Sequence, residues 1–168
     1  METSKEPDLA LLARLLSDHG VTYAVIGGIA LQVHQREPRT TLDIGLAVIR
    51  RENIPRDALT AASFRETGQH AQSENWVAPG GTPVQFTDDP ELADALKRVL
   101  EIRIRDVPLR VLTVSDLLHE KLRSGRDPAR RRSKRLQDLA DAQSLLEQHP
   151  DLAQELRSDE RDALDRLP

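Results

Sequence analysis

The stretch VIGGIALQVHQREPRTTLDIGLAV, residues 25–48, reads as a strand, a glycine turn, a helix and a second strand. Tyr23 to Ile26 form an apolar run, and Gly27-Gly28 then lets the backbone turn tightly before Ile29, Ala30, Leu31 and Val33 continue as a helix. That arrangement leaves backbone N–H groups free at a helix N-terminus, where a phosphate binds well; a plain tight turn is the other account of the two glycines. Further on, Leu42, Ile44, Leu46 and Val48 alternate with Asp43 and Gly45, which puts the two sets on opposite faces of a strand. Asp43 falls within this predicted strand, where a charge is costly unless it faces a polar cleft or has a partner. Position 45 shares its face. A later strand, Thr82 to Thr87, points Val84 and Phe86 one way and Gln85 the other.

Gly27, Gly28, Arg39, Thr41 and Asp43, in this order, resemble the nucleotidyltransferase superfamily of the AbiEii and minimal nucleotidyltransferase kind. Its pattern is a Gly-Gly or Gly-Ser turn, a helix, an arginine and threonine, and Asp-x-Asp on the next strand. The chain is also similar to it in Ser115 to Leu122, a helix with an inward lysine, Lys121, and in Arg135 to Asp141, set against Arg-x-Lys-Asp-x-x-Asp. The matches span residues 20 to 147. The resemblance implies an α/β (α+β) nucleotidyltransferase fold, a small mixed sheet flanked by helices with a C-terminal helical extension. It also implies a cleft in which Gly27, Gly28, Arg39, Thr41 and Lys121 meet phosphate and Asp43 holds Mg²⁺ or Mn²⁺ for in-line attack. Here the second aspartate is Gly45 and the third carboxylate is Gln85, whose neutral amide binds metal weakly and cannot act as a base. The expectation is a degenerate protein, weakly active or inactive, that binds a nucleotide or RNA phosphate. The alternative is an active enzyme moving a nucleoside monophosphate from NTP to an RNA, protein or small-molecule hydroxyl, with Asp88 replacing a lost acid. Membership of a toxin–antitoxin pair, with a protein partner, is a further implication of the resemblance.

The whole chain of 168 residues fits one domain, with a core about 20–113 and a helical part about 114–168. That length can bury about 70% of the surface exposed by the unfolded chain. There is no cysteine, no apolar run of about 18 residues, and no basic-then-apolar leader in METSKEPD, so a cytoplasmic protein with no membrane contact is expected. Oligomeric state is not legible. Aromatics make up 2% of the chain, only Tyr23, Phe64, Trp76 and Phe86, so the core must rest on Leu, Val, Ile and Ala and an aromatic-stacking single-strand binder is not expected.

The net charge of −4 is unevenly spread: residues 123–135 carry seven cations against Asp127 alone, a balance of +6 that leaves −10 elsewhere. The cluster fits phosphate contact or a solvated loop between helices. The acidic tail from Asp151 could fold back on it.

Along the rest of the chain, Asp8 to Asp18 has helical apolar spacing, with Pro7 at its start and Gly20 at its stop. A helix is expected at Arg56–Ala62, and short strands at Ser63–Glu66 and Asn75–Ala78. Asp89-Pro90 predicts a helix start with a Leu92, Leu96, Val99, Leu100 stripe; capping accounts for Asp89 better than a site role does. Ile102–Arg105 and Leu109–Leu112 predict a hairpin around Asp106-Val107-Pro108, and three helices follow from near Ser115, Lys134 and Pro150. Lys121 either points into the cleft or snorkels outward, and Asp138 and Asp141 share a helix face suited to pairing with Arg135, Lys134 or neighbouring arginines. The five histidines lack metal-ligand spacing.

Overall fold

The computed structural model describes residues 5–36 and 40–167. Seven strands form one mixed sheet: β1 (Tyr23–Ile26), β2 (Ile44–Val48), β3 (Arg65–Gln69), β4 (Ser73–Val77), β5 (Pro83–Thr87), β6 (Leu100–Ile104) and β7 (Val107–Val111). Their order across the sheet is β3-β4-β5-β2-β1-β7-β6. The β1/β2, β3/β4, β4/β5 and β6/β7 pairs are antiparallel, whereas β1/β7 and β2/β5 are parallel. The helices are α1 (Glu6–Asp18), α2 (Gly27–His34), α3 (Arg56–Ala61), α4 (Val114–Arg126), α5 (Arg132–Gln148) and α6 (Ser158–Asp165). This is the mixed sheet flanked by helices, with helices after it, that the resemblance implies. None of the described helices is long and apolar enough to cross a membrane.

Helix α1 forms where Leu9, Leu12, Ala13 and Leu16 recur on one face, and all four are buried. Gly20 stops it in the left-handed region at φ +65°, with its N–H bonded to the Ser17 carbonyl. Asp8 on α1 is buried and accepts from the N–H groups of Gly80 at 2.9 Å and Thr82 at 3.3 Å, which ties this helix to the β4–β5 turn. Glu74, fully buried on β4, is held by both fork nitrogens of Arg56, at 2.9 and 2.6 Å, and by the Trp76 indole N–H at 2.9 Å. A buried carboxylate is tolerable with such partners.

Several expectations are corrected. Strand β2 begins at Ile44, so Asp43 lies in a bend just before it and Leu42 is 76% exposed. The ladder ends there because Gly45 pairs with Ile26, the last residue of β1, after which the partner chain turns into α2. Residues 90–100 form two single 3₁₀ turns instead of one helix; Leu92 and Leu96 are buried, but Leu100 is taken into β6, paired with Val111. The β6–β7 turn is Arg105-Asp106, both at positive φ (47° and 62°), one step earlier than expected and suited to a two-residue hairpin. Strand β3 runs later than expected, beyond the positive-φ Ser63, and Pro150 opens a 3₁₀ segment before α6.

Candidate active site

The C-terminal end of β1, the start of β2 and the middle of β5 meet toward one end of the central strands, because β1 runs toward that end and β2 runs away from it. A cavity of about 430 Å³ opens there. Its floor holds Ile26, Gly45 and Gln85, with Gly45 and Gln85 directly paired across the β2/β5 ladder. One wall is Gly27, Gly28, Thr41 and Asp43; the other is α4 with the start of α5.

Gly27 has φ +65°, a conformation that favours glycine, and it carries the chain from β1 straight into α2. Gly28 is required for a different reason: a Cβ there would stand 2.5 Å from both Cβ and Oγ1 of Thr41. The glycine thus lets the segment before β2 press against the N-terminus of α2. Thr41 is buried and its hydroxyl donates to Asp43 Oδ1 at 3.3 Å, turning this carboxylate to the cavity wall. At the far end of α2, His34 donates a ring nitrogen to the Leu112 carbonyl at 2.7 Å, which fixes the helix against the end of β7.

Helix α4 is capped by Thr113, which accepts from the Asp116 N–H at 3.1 Å. Leu117, Glu120, Lys121 and Ser124 fall at i, i+3, i+4 and i+7, one helical face, and all line the cavity. Lys121 points inward and is buried; its Nζ lies 3.2 Å from Asp138 and 2.8 Å from Asp141 on α5. The outward, snorkelling orientation is therefore excluded. The other oxygen of Asp138 accepts from Arg130 at 2.9 Å. The partners of this acid are a lysine of α4 and a neighbouring arginine, not Arg135.

Glu120 is the acid that sequence reasoning passed over. Its carboxyl is pushed above the usual glutamate range by burial, opposed by the charge and hydrogen bonds of Arg123, whose guanidinium also contacts Asp89 at 2.8 Å. The signal was present in the spacing of the four residues on α4, but it takes the cavity to show which face matters.

Of the residues expected at the site, Gly27, Gly28, Thr41, Asp43 and Lys121 are brought together, with Gly45 and Gln85. Arg39 lies outside the described residues. Asp88 does not reach the cavity; it pairs with Arg51 at 3.3 Å. Asp89 caps the turn after β5 by accepting from the Glu91 N–H at 3.0 Å. The acidic tail folds onto α4, with Arg126 bonded to Asp159 and His119 to the fully buried Glu160 at 2.8 Å.

A two-ion metal centre does not fit this donor set. Among the described residues no three His, Cys, Asp or Glu side chains come together. Gly45 and Gln85, where the resemblance expects further carboxylates, line the same cavity as Asp43 and supply none.

Solved structures share the fold. The solution structure of antibiotic-resistance factor ANT(2'')-Ia matches at a TM-score of 0.64 and 17% identity, over 98% of this chain and 97% of its own. An antigenic nucleotidyltransferase-like protein from Paracoccidioides brasiliensis matches at 0.55 and 20%, over 95% and 91%. Megavirus polyadenylate synthase matches at 0.58 and 14%, over 88% of this chain and 34% of its own. No family model matches the sequence, and no curated protein matches it. What is shared at these identities is the fold, and the chain has the nucleotidyltransferase fold.

Proposed function

We propose that this protein binds a nucleoside triphosphate, or the terminal nucleotide phosphate of an RNA, in the cavity between Gly27-Gly28 and α4, and that it does so without efficient nucleotidyl transfer. The observation that carries the reading is the in-register pairing of Gly45 with Gln85 beside Asp43, on the floor of a cavity walled by a glycine turn and cations. The N–H groups at the start of α2 face an anion with the helix dipole behind them. Lys134, exposed on the opposite wall, makes no ion pair among the described residues and meets the ligand as a point charge. Thr41 orients Asp43. Transfer through two metal ions stabilises charge on the attacking and the leaving oxygen together, and one carboxylate is a poor holder for both ions.

The reading is tested by titrating each NTP into the protein and its Asp43→Ala variant, with and without Mg²⁺ or Mn²⁺. Binding with little dependence on metal, largely retained in Asp43→Ala, supports it; no binding under any condition overturns it. Strong metal-dependent binding lost in Asp43→Ala favours instead the active enzyme of the resemblance. Gly45→Asp with Gln85→Asp is the complementary change, and it is sterically mild. A Cβ at position 45 stands 3.2 Å from Cγ1 of Ile26, which must give by a few tenths of an ångström, and meets the Ile26 backbone only at ordinary contact distances. The double variant is expected to gain Mg²⁺-dependent NTP binding by calorimetry, at least about tenfold over the parent.

A further inference from the structure

The cations around the cavity extend well beyond it. Arg130 and Lys134 line its wall, with Ser133 between them; Arg131 and Arg132 are exposed and lie outside the lining. Among the described residues Arg131, Arg132 and Lys134 form no ion pair, although the rest of the chain carries a balance of −10 that could have supplied partners. Their placement is locally unfavourable. They gather at the start of α5, where the helix dipole is positive, with no acid in the first turn and no side-chain cap. Such placement runs against the helix dipole, and no ion pair among the described residues offsets it.

A single triphosphate in the cavity would use Arg130 and Lys134 and leave Arg131 and Arg132 without a role. A ligand that touches both sets is a chain of phosphates running out of the cavity and over its rim. We infer that the cavity takes the end of a nucleic-acid strand, with the backbone phosphates beyond its terminal nucleotide held by Arg131 and Arg132. This rests on the nucleotide-binding reading of the same cavity and names its ligand class. Tyr23, Phe64, Trp76 and Phe86 are all buried, so no aromatic is left to stack a base. The strand is held by its backbone, with strong salt dependence and weak sequence preference. An anionic membrane surface fits less well, since Pro128 and Ala129 are the only apolar residues in the segment 127–135 and neither is large enough to anchor in lipid.

The test uses a labelled single strand of mixed sequence, as RNA and as DNA, titrated by fluorescence anisotropy over a salt series. Wild type and Arg131→Ala/Arg132→Ala are compared, with ATP titrated calorimetrically in parallel and thermal melts run on both. The expected result is strand binding that weakens with salt and a variant slope shallower by about 1.4, two single-strand contacts at about 0.7 each. At 0.1 M salt the variant loses roughly 25-fold in affinity, the factor that slope gives on extrapolation to 1 M. Its ATP binding is unchanged and it melts no lower than wild type. ATP binding without strand binding, or strand binding equal in both proteins, overturns the inference while leaving the nucleotide reading standing. Absence of both removes the reading and the inference together. Binding of phosphatidylserine vesicles, lost in the variant, without strand binding, assigns the patch to a membrane and also overturns it.

Discussion

Gly28 is where one hydrogen decides the geometry of the cavity. Replacing it by alanine drives a methyl group into Thr41, whose Cβ, fixed to the backbone, cannot swing away. Gly28→Ala is expected to cost about 1–3 kcal/mol, read as a fall in melting temperature of about 2–4 °C per kcal/mol, together with weaker nucleotide binding as the N-terminus of α2 is pushed away from Thr41. Glu120 offers a second test at this scale, through pH. Burial raises its pKa above the ordinary 4.5 in the folded state. The folded protein therefore holds this proton more tightly than the unfolded chain does. The stability it contributes is complete below the unfolded pKa and is lost as pH rises through the raised folded value. Melts of wild type and Glu120→Gln between about pH 4 and pH 7 should show the difference moving in favour of the variant as pH rises; a difference independent of pH would contradict the assignment.

Helices α4 and α5 meet through a buried charge cluster in place of a purely apolar seam. Lys121 sits between Asp138 and Asp141, Arg130 shares Asp138, and Gly125 allows the close crossing, since a Cβ there would stand 2.6 Å from Leu139 Cγ. The lysine that the resemblance assigns to phosphate thus carries a structural load as well. Removing it takes the lysine charge from two buried carboxylates, of which Asp138 keeps Arg130 and Asp141 keeps the Gln137 amide, and Lys121→Ala should destabilise the protein by up to about 3–5 kcal/mol in chemical denaturation. A lysine that served only a ligand would leave the denaturation midpoint where it was. The periodicity of Leu117, Leu118 and Leu122 was enough to predict α4, whereas the 90–100 segment shows the limit of such patterns. Its stripe includes Leu92, Leu96 and Leu100, yet the last is claimed by pairing with Val111, and the local turns stay 3₁₀.

At the scale of the molecule, contacts far apart in sequence close the fold around the cavity. Asp8 reaches from the first helix to two N–H groups of the β4–β5 turn, and Glu160 reaches from the last helix to His119 on the back of α4. Asp8→Ala leaves two N–H donors without their acceptor, and a loss of about 1–3 kcal/mol is expected by urea denaturation, with Asp8→Asn recovering part of it. The strand–glycine–helix–strand order, the alternation that sends Gln85 away from Val84 and Phe86, and the basic segment were legible in the sequence. Each is a local pattern: backbone freedom at glycine, a period of two in strands, and charge counted along the chain. Tertiary structure alone decided that Gly45 and Gln85 are neighbours, that Asp43 stands outside the strand, that Glu120 faces the cavity and that Asp88 belongs to Arg51. Those outcomes depend on strand register and helix rotation, which are set by the packing of segments dozens of residues apart, and no window of sequence contains both partners of such a contact.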